Sequence, residues 1–243
     1  MMQRDSLSLV QLVPNVVTIL GMCAGLSAIR YTFAERYELA AALIILAAIL
    51  DGLDGLLARK LNAATSFGAE LDSFADFVSF GVAPGILVYG YALDGLTAGF
   101  GWVFVLIFAV CACLRLARFN LSRATPEGGM IRHFIGVPAP AGAMLGLLPV
   151  YLGLAGWIDA ASLAIPVALY LGAVGFLMVS RLPTPSLKAI RIARRHAIWV
   201  LVGASAFVGL LFLHTWVTLV VADLIYLAVL AGLSLRRALP RKT

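Results

Sequence analysis

Four aspartates stand in two pairs within an otherwise apolar chain: Asp51 and Asp54, then Asp72 and Asp76. Residues 51–59 read DGLDGLLAR and residues 68–76 read GAELDSFAD. On a helix, Asp51, Asp54 and Ala58 fall on one face, and Asp72 and Asp76 fall on one face by the same three- and four-residue spacing. Two such helix ends facing each other would converge four carboxylates. An ionised carboxylate inside a bilayer costs about 2.5–3.5 kcal/mol on insertion scales, and like charges brought together add repulsion. Arg59 alone cannot neutralise four acids. Two divalent ions held by hard oxygen ligands can, and carboxylates suit Mg²⁺ or Mn²⁺.

Gly55, Ala58 and Gly68 leave room beside the acids for a ligand to approach the backbone. Paired metal ions bridge phosphate oxygens and orient a nucleophile for in-line displacement, so the chemistry inferred is phosphoryl-type transfer. Two other readings fit the same acids: boundary carboxylates that cap helices and form ion pairs, and an ion-coupled transporter, since intramembrane acids mark ion pathways.

The elements that must carry these residues are membrane helices. The chain has 243 residues, 62% hydrophobic and 12% charged, with a mean hydropathy of +1.01. A spanning helix needs about 20 apolar residues. Candidate spans lie near 14–33, 38–57, 71–92, 97–117, 136–155, 161–180, 197–213 and 215–234. The expectation is an all-α polytopic bundle of about eight spans, a six-span core plus two, forming a single integral membrane domain over 1–243. The catalytic core is expected over approximately 10–180 and the C-terminal helices over 197–234. No cleavable signal peptide is expected, because the polar residues 1–8 lead directly into the first span.

Every Lys and Arg except Arg30 and Arg36 falls on one side of these spans, which makes that side cytoplasmic. The net charge of +6 therefore points to a membrane surface. Nucleic acid is not an expected partner, because no aromatic residues interleave with the basic ones. The connection 181–196 contains Pro183 and Pro185, then Ser186 as a candidate N-cap for a short helix carrying Lys188, Arg191, Arg194 and Arg195. It reads either as a headgroup-binding surface or as a loop that only fixes topology.

Cys23, Cys111 and Cys113 lie in apolar segments without zinc-like spacing and read as buried free thiols. His133, His196 and His214 are isolated near span boundaries, and Trp102, Trp157, Trp199 and Trp216 suit an interfacial belt. Asp223, inside the last apolar segment, has no partner legible in the sequence.

The acidic segment resembles the signature of the CDP-alcohol phosphotransferase family, D-x-x-D-G-x-x-A-R-x8-G-x3-D-x3-D, and matches it at every fixed position without insertion: Asp51, Asp54, Gly55, Ala58, Arg59, Gly68, Asp72 and Asp76. The resemblance implies a helical membrane fold, usually a homodimer, with the site opening to the cytoplasm. It implies that Asp51, Asp54, Asp72 and Asp76 ligate metal, with Asp76 also the base that deprotonates the acceptor alcohol. Gly55, Ala58, Arg59, Thr65 and Gly68 are implied to hold the CDP-lipid, joined by Asn15 and Thr18 of the element PNVVT at 14–18, which resembles the family's first-helix lining of the nucleotide pocket.

Flanking segments bear on the acceptor: FVSFGVAP at 77–84, RLARFN at 115–120 and FIGVPAPA at 134–141. They are similar to the family's serine-using, membrane-embedded branch over roughly residues 10–150. That similarity implies transfer of the phosphatidyl group from CDP-diacylglycerol to L-serine, giving phosphatidylserine and CMP; a compact chain without an evident targeting extension fits a prokaryotic plasma membrane. A guanidinium is a bidentate partner for the serine carboxylate, which makes Arg115 and Arg118 candidate anchors. Topology and headgroup pairing are the other role open to them. Ser79 and Asn120 are candidates to orient polar substrate groups or to satisfy helix backbone. Glycerol 3-phosphate or an inositol phosphate would want similar basic residues, so those acceptors stay open, as does a non-enzyme role in lipid transport or as a structural subunit.

Overall fold

The computed structural model describes residues 9–96, 99–124, 134–180, 183–184 and 197–238, and among them the chain is a helical bundle. The expected short helix at 186–196, residues 1–8, His133 and His196 lie outside the described residues. Helices α1 (Leu9–Phe33) and α2 (Tyr37–Lys60) form an antiparallel hairpin with the largest helix–helix contact in the bundle. Its close approach follows from small residues, with Ala40, Ala41 and Ala47 fully buried on α2. The turn between them places Glu35 at φ 57° and closes through Arg36 N–H donating to Tyr31 O.

A second tight turn follows α2. Asn62 takes φ 50° and Ala63 N–H donates to Ala58 O, so the chain reverses within a few residues and α3 (Ser66–Asp76) returns beside the acid-bearing end of α2. Thr65 caps α3 by accepting from Gly68 N–H at 3.0 Å. The helix then runs unbroken to Leu93 as a 28-residue span. It passes through a π turn at Phe77–Val82, then α4 (Ala83–Val88), then a second π turn at Tyr89–Leu93. Pro84 has no N–H to give the preceding turn, and the wider π turn directly after Asp76 absorbs that loss.

The second half builds a wall opposite. Helix α5 (Phe100–Ala124) packs along α8 (Ala164–Val179). Between them, the expected span 136–155 is split into α6 (Ala139–Gly146) and α7 (Leu148–Leu154). The break has a local cause: Pro149 cannot donate to Leu145 O, and the Tyr170 hydroxyl of α8 donates to that carbonyl instead, at 2.9 Å. Two short strands, β1 (Phe134–Ile135) and β2 (Pro183–Thr184), pair antiparallel and tie the lead-in of α6 to the exit of α8. Just after β1, Gly136 sits at φ 84°, where a Cβ would lie 2.5 Å from Met178 O, so glycine is required there.

Helices α9 (Ala197–Leu213) and α10 (Thr215–Ala238) complete the chain. Among the described residues five helical runs are long and apolar enough to cross a membrane: Leu12–Phe33, Tyr37–Lys60, Ser66–Leu93, Phe100–Leu121 and Thr215–Ser234. Helices α8 and α9 are apolar but shorter. Large apolar side chains such as Leu56, Leu114, Phe176, Trp199 and Phe212 face outward, as lipid-facing residues do. Trp216 points inward and stacks on buried Tyr151, with ring centroids 6.0 Å apart.

Candidate active site

The turn at 61–65 brings the acidic face of α2 against that of α3. Asp51, Asp72 and Asp76 each offer an oxygen within 4.8 Å of the others, and the Asp51 and Asp76 carboxyls lie within hydrogen-bond reach. Asp54 stands to one side of this triad, where the sequence expectation had four converging acids. Its Oδ2 lies 2.5 Å from the Thr18 hydroxyl of α1, which donates to it. Both residues are buried. Thr18 thus fixes the carboxylate that sits farthest from the cluster.

Three carboxylates this close inside a bundle cannot all be ionised without a cation. A donor set of carboxylate oxygens fits a hard divalent ion, so the residues present suit the metal implied by the signature.

The acids form a partition between two cavities. On one side, α1, α2 and α3 enclose about 150 Å³ lined by Asn15, Thr18, Asp54, Gly55, Ala58 and Arg59. Thr65, Gly68 and Asp72 close its far wall. All seven residues expected to hold the CDP-lipid therefore line one space. Gly68 has a steric reason: a Cβ there would lie 2.8 Å from Asn15 Oδ1. On the other side a cavity of about 310 Å³ is bounded by Asp51, Asp72, Asp76, Arg115, Phe119 and Pro138. Asp54, Gly55, Arg59 and Asp72 line both cavities.

The four residues considered for the acceptor separate. Arg115 reaches the second cavity and is within electrostatic reach of Asp76. Its Nε donates to Val137 O at 3.1 Å and its guanidinium lies over the Phe119 ring at 5.5 Å. Arg118, one turn on, donates instead to Val179 O at 2.9 Å. Val179 is the last residue of α8, where carbonyls lack helical partners and the helix dipole favours a cation. Ser79, in the π turn, is 2% exposed, donates to Gly21 O of α1 and lines a small chamber beneath the acids. Asn120 pairs with Ser73 of α3, its Nδ2 donating to Ser73 Oγ at 2.9 Å. Neither Arg118 nor Asn120 is among the described residues that line these two cavities.

Phe119 and residues 138–140, which lie in the flanking segments 115–120 and 134–141 but were not named as site residues, also line the second cavity. Their signal was weak because an aromatic and a Pro-Ala repeat in a membrane chain are ordinarily packing residues. Asp223 of α10 is buried, and its Oδ2 has no hydrogen-bond partner among the described residues.

A helical membrane bundle with a carboxylate cluster dividing two cavities defines a class. Residues 11–174 match the family model described as CDP-alcohol phosphatidyltransferase, and the chain belongs to that family. Relatives are similar over most of the chain. CDP-diacylglycerol–serine O-phosphatidyltransferase of Mycobacterium leprae is 38% identical over 222 residues, covering 89% of this chain and 72% of the relative. The enzyme of the same name from Helicobacter pylori is 35% identical over 209 residues, covering 84% and 82%. That from Bacillus subtilis is 37% identical over 179 residues, covering 72% and 91%.

Proposed function

We propose that the protein is a phosphatidylserine synthase, transferring the phosphatidyl group from CDP-diacylglycerol to L-serine and releasing CMP. The observation that carries this reading is the acidic partition, with a small-residue cavity on one side and, on the other, a cavity to which Arg115 adds its guanidinium. The relatives' shared name points to the same donor and acceptor.

The first cavity would seat the CDP group, its glycines admitting phosphate close to the helix backbone and Arg59 facing both substrates. The second would seat serine, whose carboxylate Arg115 binds through N–H groups not committed to Val137 O. That places the serine hydroxyl toward Asp76. The Asp76 carboxylate takes the hydroxyl proton as the serine oxygen bonds to the lipid phosphorus and the phosphorus–oxygen bond to CMP breaks. Asp51, Asp54, Asp72 and Asp76 would hold divalent metal, Mg²⁺ or Mn²⁺ and two ions by their number and spacing. Bound there, metal neutralises charge on the phosphates and the leaving group. Thr18 holds Asp54 in place, and the surrounding apolar bundle excludes water that would hydrolyse the donor.

The site lies at the end of α2 that carries Arg59 and Lys60, on the side where basic residues concentrate. This supports a cytoplasm-facing site in a prokaryotic plasma membrane, in an eight-pass single domain whose core spans residues 10–180. A homodimer is the assembly expected of this architecture.

The deciding experiment is CMP release by purified protein in detergent with CDP-diacylglycerol and Mn²⁺ or Mg²⁺, comparing L-serine, glycerol 3-phosphate, inositol and inositol phosphate. Serine-dependent release is the expected result. Preference for a phosphorylated polyol would keep the chemistry and overturn the acceptor, and no release with any acceptor from folded, metal-supplied protein would overturn the enzyme reading.

A further inference from the structure

The chamber beneath the acids is a third space, separate from the two substrate cavities. Its volume is about 10 Å³, and it is lined by the four aspartates, by apolar Ala47, Ala75 and Phe80, and by the hydroxyl-bearing Thr18 and Ser79. That space admits one water molecule and nothing larger. Ser79 lines neither substrate cavity. It follows Asp76 by three residues within the first π turn, which keeps it on the acid's side of the helix.

Helix α1 passes Ser79 through two glycines. Ser79 Oγ donates to Gly21 O at 3.2 Å, and a Cβ on Gly25 would lie 2.9 Å from Ser79 Cα. A hydroxyl has one hydrogen and two acceptor sites. The Ser79 hydrogen goes to Gly21 O and the Thr18 hydrogen goes to Asp54, so neither side chain is left to donate to Asp51 or Asp76. What Ser79 offers the chamber is an acceptor. The carboxylates opposite are acceptors too, and a water, with two hydrogens, is the smallest molecule that joins them.

We propose that the chamber is a site for one structural water and that Ser79 is a positioning residue for the metal ligands. The Ser79 oxygen accepts one hydrogen of the water, which directs the other onto the Asp51–Asp76 pair. The rotation of those carboxylates is thereby fixed from the side away from the substrates. Metal ligands held by such hydrogen bonds bind their ion about 10- to 100-fold more tightly than unsupported ones. The acids themselves stand between this water and both cavities, so it is no competitor of the acceptor alcohol. This inference rests on the metal-dependent reading of the acids given above.

The test is Mn²⁺ binding to full-length protein in detergent without substrates, read from the free-ion EPR signal. Ser79→Ala binds Mn²⁺ about tenfold more weakly than wild type, and the Mn²⁺ concentration that half-saturates CMP release rises by the same factor. At saturating Mn²⁺ its KM for L-serine moves by less than about twofold. Tyr170→Phe, which loses a comparable hydroxyl-to-carbonyl bond and lines none of these spaces, binds Mn²⁺ as wild type does. In a Mn²⁺-loaded structure, density within about 3 Å of Ser79 Oγ and of a carboxylate oxygen, without manganese anomalous signal, marks the water. Anomalous signal inside the chamber overturns the inference, because the space then holds metal. Unchanged Mn²⁺ affinity in Ser79→Ala also overturns it alone, and a lower metal-free Tm alongside would show the bond to Gly21 O to be purely structural. Wild-type protein that binds no Mn²⁺ overturns the metal reading and this inference with it.

Discussion

The two walls of the site are made in different ways. The donor-side wall comes from residues 51–76 with one helix, α1, laid against them: two adjacent helices, a five-residue turn and a cap at Thr65. The opposite wall, proposed to face the acceptor, comes from places far apart in the chain: Arg115 and Phe119 of α5 and the segment 138–140 that leads into α6. The first is local and fixed by short-range geometry. The second exists only when distant segments pack, and a backbone carbonyl from one of them aims the side chain of another. On the proposed reading, the family's signature acids and CDP-lipid residues sit in the wall that local sequence can build, and acceptor choice would sit in the wall that packing assembles.

The sharpest test of this division removes the base. Asp76→Asn keeps the side-chain volume but loses the proton acceptor, and CMP release falls by about 100- to 10,000-fold with the KM for CDP-diacylglycerol nearly unchanged. Next is Arg115→Gln, which removes a guanidinium that lines the second cavity and not the first. The KM for serine rises about 10- to 100-fold in CMP-release kinetics, and an equal rise in the donor KM would break the division.

Gly68→Ala probes the other wall. The added methyl displaces Asn15, and the KM for CDP-diacylglycerol rises about tenfold while that for serine holds, a cost in the range of overpacking a tight contact. The smallest effect on turnover belongs to Arg118→Gln. Losing its bond to Val179 O costs about 1–3 kcal/mol, read as a lower Tm, with the KM for serine within about threefold of wild type. A large change in that KM with no loss of stability would return Arg118 to the substrate.

Much of the donor wall was legible because a helix repeats every 3.6 residues, so Asp51 with Asp54 and Asp72 with Asp76 declare their shared faces. The small residues beside them were equally readable, since a missing side chain leaves space wherever the helix goes. The offset of Asp54 from the other three acids was not. It depends on the Thr18 hydroxyl of a third helix, and only the α1–α2 packing sets that 2.5 Å contact.

Arg115 and Arg118 mark the limit most clearly. They have the same chemistry, the same helix and a spacing of three, and the sequence offered both as anchors. Their fates part because α8 ends beside one and a cavity opens beside the other. The break at Leu147 was hidden for a similar reason, since Pro149 is tolerated only because Tyr170 takes over the freed carbonyl. Sequence alone determined the helical membrane class and the carboxylates with their spacing, because composition and period act residue by residue. Tertiary structure decided which polar side chains face the substrates and which hold the bundle together, because in a membrane interior each donor takes whichever unsatisfied acceptor packing brings within reach.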